Sequence, residues 1–307
     1  MSPREDDITA WFRQQRHLDP KAFPIGIGDD MAEVAVGQGG SVLVTTDMLL
    51  DGTHFDLSAA TLQQVGYKAM AVSLSDCAAM ATIPLAAVVA VAMPPGFGSA
   101  QLKQLHAGIA RAADTYDCPL IGGDITSWTS PHPFAINVTM MSRRATNAPV
   151  PRSGAQVDDT ICVTGSLGGS MHGRHLKFEP RVTEALKIAH TVTVNAMIDI
   201  SDGLSTDLNR ICNQSHVGAI LDAASIPISQ DAQQQDDPLQ AALNDGEDFE
   251  LLFVISPTDY DKLASSWDAP VPITRIGTIV DGSGMQVRLP DGRLVKLHPG
   301  GYDHLAQ

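Results

Sequence analysis

Ala71-Val72-Ser73-Leu74-Ser75-Asp76-Cys77-Ala78-Ala79-Met80 reads as the second half of a helix running from Thr61 to Ala81. The segment is rich in Ala, Leu and Met at helical spacing, and its Gly66 and Ser75 are tolerable in a helix interior. It carries Lys68 and Asp76. Toward the N-terminus, Ile8 to His17 reads as a short amphipathic helix, and Met31 to Val36 and Ser41 to Asp47 as strands. Toward the C-terminus come a strand at Leu85 to Met93, a helix at Ser99 to Tyr116, a buried strand at Pro119 to Gly122 and an alternating strand at Phe134 to Arg143. The Pro-containing stretch Thr146 to Gly154 then reads as a domain boundary.

The alternation restarts beyond it. Strands are expected at Thr160 to Thr164, Ala196 to Ile200, Gly218 to Asp222, Phe249 to Ile255 and Ile273 to Val280. Helices are expected at Glu184 to His190, Leu204 to Ser215 and Thr258 to Trp267, with a Gly-rich turn at Gly165 to Ser170. Strands and helices mix without a clean βαβ rhythm. Two α+β domains, residues 1–148 and 149–307, therefore fit better than one doubly wound sheet.

Short acidic motifs run through both halves: Gly28-Asp29-Asp30, Thr45-Thr46-Asp47, Ser75-Asp76, Gly122-Gly123-Asp124, Asp199-Ile200-Ser201-Asp202 and Asp245-Gly246-Glu247-Asp248. The chain has 29 Asp against 6 Glu, a bias that solubility alone does not explain because both carry the same charge. Asp has the shorter stem and loses less freedom when it grips a hard cation. Several motifs follow an apolar run beside Gly, Ser or Thr, the place where a strand ends and a metal–phosphate site commonly sits. Taken singly, each Asp is a good turn or cap residue; together they call for a common purpose.

The bulk numbers narrow that purpose. Hydrophobic content of 44% with 18% charged residues suits a globular protein. A formal charge of −15 argues against a nucleic-acid surface or an anionic membrane as partner. It also repels phosphates unless bound divalent cations reverse the local sign. Cys77, Cys118, Cys162 and Cys212 form no Cys-x-x-Cys pair, so buried free thiols are expected rather than a zinc site. The N-terminus lacks the pattern of a signal peptide and no apolar run is long enough to span a bilayer, so a cytoplasmic setting is expected.

A P-loop and a dinucleotide-binding Gly-x-Gly-x-x-Gly are both absent. Asp30, Asp47, Asp76, Asp124 and Asp199 lie far apart in sequence, yet folding can gather them around one cleft. Clustered carboxylates repel unless cations sit between them. Mg2+ takes one or two carboxylates, several waters and substrate phosphates. Several such ions can hold a nucleoside triphosphate without a Walker lysine, and Arg152 can add a two-pronged grip on a phosphate.

These motifs resemble thiamine-monophosphate kinases. So do Asp51-Gly52-Thr53-His54-Phe55, Arg152-Ser153-Gly154, His175-Leu176-Lys177-Phe178-Glu179-Pro180-Arg181, Gly246-Glu247-Asp248-Phe249-Glu250-Leu251 and Gly301-Tyr302-Asp303, all in the family's order. The resemblance implies the two-domain fold of the aminoimidazole-ribonucleotide-synthetase superfamily, with N-terminal sheets pairing across a homodimer. It implies transfer of the γ-phosphate of ATP to thiamine monophosphate. Carried over, Asp30, Asp47, Asp76, Asp124 and Asp199 would ligate Mg2+, with Thr45, Thr46 and Asp202 adding oxygens. Gly123, Asp124, Arg152 and Ser201 would contact ATP; His54, Glu247 and Tyr302 would contact thiamine monophosphate.

An acceptor phosphate with a second pKa of about 6 is already ionised near neutral pH, so no general base is expected. The chain departs from the family in three places. Ser170 runs almost at once into His175, Asp245 stands where the family has Gly, and His106 lies closest to a family aromatic near the nucleotide base. Another ATP-dependent enzyme of the superfamily and a silent nucleotide- or thiamine-phosphate-binding paralogue remain alternatives.

Overall fold

The protein is described by a computed structural model covering residues 5–15, 18–37 and 39–305. Helix α1 (Glu5–Gln15) begins earlier than the spacing predicts, and the expected end at His17 lies outside the described residues. Strands β1 (Ala32–Gly37) and β2 (Gly40–Leu50) lead to α2 (Leu62–Ala79), and β3 (Ile83–Met93) to α3 (Ser99–Thr115). Strands β4 (Leu120–Ser127) and β5 (Ala135–Arg143) complete a five-stranded sheet ordered β1-β2-β5-β3-β4. Only the β3–β4 pair is parallel there.

The second half contains β6 (Thr160–Thr164), α4 (Val182–Thr191), β7 (Ala196–Asp199), α5 (Leu204–Ser215), β8 (Gly218–Asp222) and α6 (Pro238–Asn244). It continues with β9 (Leu251–Ile255), α7 (Pro257–Ser266), β10 (Ile273–Val280), β11 (Gly284–Arg288) and β12 (Leu294–Leu297). Its seven strands are ordered β12-β11-β8-β10-β6-β9-β7, antiparallel except for β8 and β11. Both sheets are mixed, and the molecule is α+β in each half.

Helix α2 holds the halves together. Thr61 caps it, accepting from the Gln64 N–H at 3.2 Å while the Gln64 side chain accepts from the Thr61 N–H at 2.9 Å. Most of its residues are buried, on every side rather than along one stripe, as a helix between two layers requires. On one side Gly66 and Gly108 bring α2 and α3 into backbone contact. A Cβ on Gly66 would lie 2.1 Å from the Leu105 carbonyl oxygen, and one on Gly108 1.9 Å from that of Gln63. On the other side α2 shares a core with Phe178, Val182, Ile188, Met197 and Phe249 of the second half. The Phe178 and Phe249 rings stack there at 4.2 Å, and the Tyr67 hydroxyl donates to the Phe178 carbonyl at 2.8 Å. A second apolar cluster, including Ile161, Ile198, Leu208, Leu221 and Ile279, lies wholly within the second half.

Two expectations are corrected. Strand β4 is longer than Pro119 to Gly122 and is exposed, not buried, because it is the sheet's edge and pairs on one side only. The strand expected to end at Asp47 runs on to Leu50, so Asp47 lies inside β2, whereas Asp76 lies within α2 as the helical spacing predicts. The four cysteines are buried free thiols, and among the described residues no helix is long and apolar enough to cross a membrane.

Candidate active site

Three carboxylates from distant parts of the chain meet where α2 passes the end of the second sheet. Oxygens of Asp30, Asp76 and Asp199 all lie within 4.8 Å of one another. Asp30 precedes β1 and Asp199 ends β7. Small hydroxyl residues orient the acids. Ser75 donates to Asp199 at 2.5 Å, Ser73 to the neighbouring Asp47 at 2.5 Å, and Thr45 to Asp76. Ser73 and Thr45 thus fasten β2 to α2, while Ser75 reaches across to β7.

Arg152 pairs with Asp30, but this single cation does not offset the mutual repulsion of the remaining carboxylates. Burial, then the nearness of other carboxylates, pushes Asp76 well above the ordinary range. Burial and Asp30 likewise raise Asp199 to about 7 and Asp47 to about 6. Asp47 and Asp76 keep part of their surface open to the cleft, yet enough protein surrounds each for burial to dominate. Such a cluster strains toward protonation and is relieved by a hard divalent cation, whose preferred donors are these oxygens. The donor set therefore fits a metal site.

Arg152 is the cation nearest to it. Its guanidinium grips Asp30 with Nη2 at 2.6 Å and Nε at 3.1 Å, and its backbone N–H donates to Asp29 at 2.8 Å. The fork expected to hold a phosphate is thus engaged by a carboxylate. Asp202 is similarly paired with Arg210 at 2.7 Å, and Arg210 also holds Asp207 at 2.7 Å.

Beside the acids opens a pocket of about 350 Å³. Thr46, Asp47, His54, Ser201, Asp202, Glu247, Tyr302 and His304 supply polar lining, and Leu49, Val72, Met171 and Phe249 supply apolar lining. Glu247 sits at φ 67°, in the left-handed region. Its N–H donates to the Ser201 carbonyl at 2.7 Å, and that of Phe249 to Ile200 at 2.8 Å. A Cβ on the preceding Gly246 would stand 2.7 Å from the Ser201 oxygen, so this loop needs glycine there. The short segment after Ser170 is closed by Arg174, whose guanidinium donates to the Ser166 carbonyl at 2.6 Å and to Asp248 at 2.5 Å. The segment still supplies Met171 to the pocket.

The fold gathers Asp30, Asp76 and Asp199 with Asp47 and Thr45 beside them, and brings His54, Ser201, Asp202, Glu247 and Tyr302 to the adjoining pocket. It does not bring Gly123 and Asp124 there within one chain. Asp124 is exposed on β4, in register with Ala90, Asn137 and Met48, positions that alternate with Asp47. It therefore shares the sheet face opposite to Asp47. The Thr46 hydroxyl belongs to that outer face too, 2.9 Å from Thr139 Oγ1. Gly123 packs against β3, where a Cβ would be 2.0 Å from the Val89 oxygen. His106 is exposed on α3.

Sequence reading passed over two pocket elements. Lys68 was visible as a lone cation in an apolar helix; its ammonium pairs with Glu247. His304 stands 5.5 Å from the His54 ring and 4.7 Å from that of Tyr302, with no sequence signal beyond proximity to Tyr302.

The sequence matches AIR synthase related protein, N-terminal domain, over residues 28–143 and AIR synthase related protein, C-terminal domain, over residues 156–290. It is 37% identical to the thiamine-monophosphate kinase of Rhodopirellula baltica, covering 98% of this chain and 97% of that protein. It is 33% identical to that of Escherichia coli K12, covering 92% of each. The solved structure of AaThiL complexed with AMPPCP and TMP superimposes with a TM-score of 0.82 at 28% identity, covering 98% of this chain and 97% of that one. A HypE–HypF complex, 17% identical with a TM-score of 0.74, shares the fold over 95% of this chain and 99% of that one. With both halves matched and relatives aligned over nearly their full length, the chain belongs to the thiamine-monophosphate kinase family of AIR synthase related proteins.

Proposed function

We propose that this protein transfers the γ-phosphate of ATP to thiamine monophosphate, giving thiamine diphosphate. The observation that carries the reading is the adjacency of the carboxylate cluster to the pocket lined by His54, Glu247 and Tyr302, on a fold shared with AaThiL. Asp30, Asp76 and Asp199, with Asp47 and Thr45 alongside, would hold Mg2+, and Asp202 would join once released by Arg210. When bound, Mg2+ neutralises the phosphates that must meet and aligns them for in-line transfer.

The chain's own residues do the rest. Ser73, Ser75 and Thr45 fix the acids' orientation. Arg152, exchanging Asp30 for a phosphate, and Ser201 would hold ATP. A neutral His54 offers a proton donor, Glu247 a carboxylate and Tyr302 a half-exposed ring to the acceptor. No group is required to remove a proton, because the acceptor phosphate is ionised already.

We further propose a homodimer formed through the outer face of the five-stranded sheet. Helices α2 and α3 lie over the other face, while Met48 is 60% exposed on this one. Pairing there would let Gly123 and Asp124 of one copy serve the site of the other, beside Thr46. In this reading residues 1–148 form the dimerising, metal-holding domain and residues 149–307 complete the nucleotide and acceptor sites. ATP as co-substrate favours the cytoplasm. Incubation with ATP, Mg2+ and thiamine monophosphate should yield thiamine diphosphate and ADP; folded protein that yields neither would overturn the proposal.

A further inference from the structure

Lys68 has no exposed surface, yet it lies in the middle of α2 with its ammonium between two pocket elements. It donates to the His54 carbonyl at 2.5 Å and pairs with the Glu247 carboxylate. His54 comes from the loop after β2 and Glu247 from the loop after α6, so one buried cation ties the two halves together at the pocket wall.

Stability does not explain it. A buried ion pair commonly gains nothing over well-packed apolar side chains of the same volume, while an unpaired buried charge is costly. The pair also sits on a loop already constrained by the left-handed Glu247 and the tight Gly246–Ser201 contact. What an apolar pair cannot provide is a fixed negative charge beside the acceptor. Burial pushes the Glu247 carboxyl up and the Lys68 ammonium down, and the attraction between them opposes both shifts. The other charged or titratable groups around them are His54, His175, His304 and Asp202.

We propose that Lys68 is a positioning residue for the acceptor. It keeps Glu247 ionised and aimed into the pocket and holds the His54 loop beside it. The inference rests on reading this pocket as the acceptor site, and the variants below separate the two.

Lys68→Met removes the charge at nearly constant volume, and Lys68→Gln keeps a donor for the His54 carbonyl should the first variant fold poorly. Steady-state kinetics are measured for each substrate from pH 7 to pH 9, where the acceptor phosphate stays ionised. Both variants should raise the KM for thiamine monophosphate by about ten- to a hundredfold at pH 7, the scale of a hydrogen bond to a charged group, and leave the KM for ATP nearly unchanged. That KM should fall again toward pH 9 as Glu247 ionises unaided, whereas the wild type stays flat. Glu247→Gln should be impaired at every pH. If Glu247→Gln is impaired but the Lys68 variants change both KM values together, or only the acceptor KM without pH recovery, Lys68 is merely structural and the inference fails. A Glu247→Gln protein with normal acceptor KM removes the pocket reading itself.

Discussion

The backbone N–H of Leu50 donates to Nδ1 of His54 across 3.0 Å. That bond occupies the Nδ1 lone pair, so the neutral ring carries its proton on Nε2. Burial first, then the Lys68 and His304 charges, lower the His54 pKa to about 4. At neutral pH the ring is therefore a fixed donor rather than a cation.

This relationship gives a signed pH prediction. His54 binds its proton more weakly in the folded state than when unfolded. Its contribution to stability is complete above the unfolded value of 6.5 and is lost as pH falls through about 4. Melting temperatures measured across this window should fall less steeply with acidity for His54→Gln than for the wild type. Parallel curves would mean that the ring titrates normally.

The carboxylate cluster predicts opposite effects on stability and activity. Asp76→Asn removes one charge from a repelling set, so the ligand-free protein should melt higher. Phosphoryl transfer should fall by at least about a hundredfold, since a metal holder worth several kcal/mol is lost. Ser75→Ala leaves the carboxylates but removes the 2.5 Å donor to Asp199. Its cost should be about 10- to 100-fold in metal affinity or activity, the range for groups that orient ligands. Near-normal turnover in Asp76→Asn would take that residue out of the metal set.

The two-domain α+β plan was legible because apolar runs and helical spacing are local signals. The meeting of Asp30, Asp76 and Asp199 was legible only as a shared chemistry, since no local pattern says that α2 lies between the halves. Three things were hidden. An edge strand such as β4 has the same Gly- and Ile-containing sequence as a buried one, because exposure is decided by neighbours. Arg152 and Asp202 looked free for ligands, but their partners Asp30 and Arg210 arrive from other elements. Lys68 was legible as a cation within an apolar helix, but its depth and its partner Glu247 were not.

If the acids are organised around a nucleotide, Mg2+ with a non-hydrolysable ATP analogue should stabilise the protein more than either alone. Ligand at about 100-fold over its dissociation constant contributes about 2.7 kcal/mol. Thermal shifts with each component and with the pair test this. Equal shifts from Mg2+ alone and from the combination would separate the carboxylates from nucleotide binding.

Asp124 supplies the sharpest test of the dimer. Its strand position lies on the sheet face opposite to Asp47 within one chain, so in the proposed dimer it would serve the site of the second copy. Asp124→Asn and Asp76→Asn proteins should each be inactive. In a mixed dimer, the subunit carrying Asp124→Asn keeps its own Asp76 and receives an intact Asp124 from its companion, which restores one complete site. Mixing the two after mild dissociation should therefore recover part of the wild-type rate, whereas Met48→Asp, which places a charge in the proposed interface, should yield inactive monomers. No recovery on mixing, with subunit exchange confirmed by mass, would rule out a shared site, and a fully active Asp124→Asn protein would remove Asp124 from it altogether.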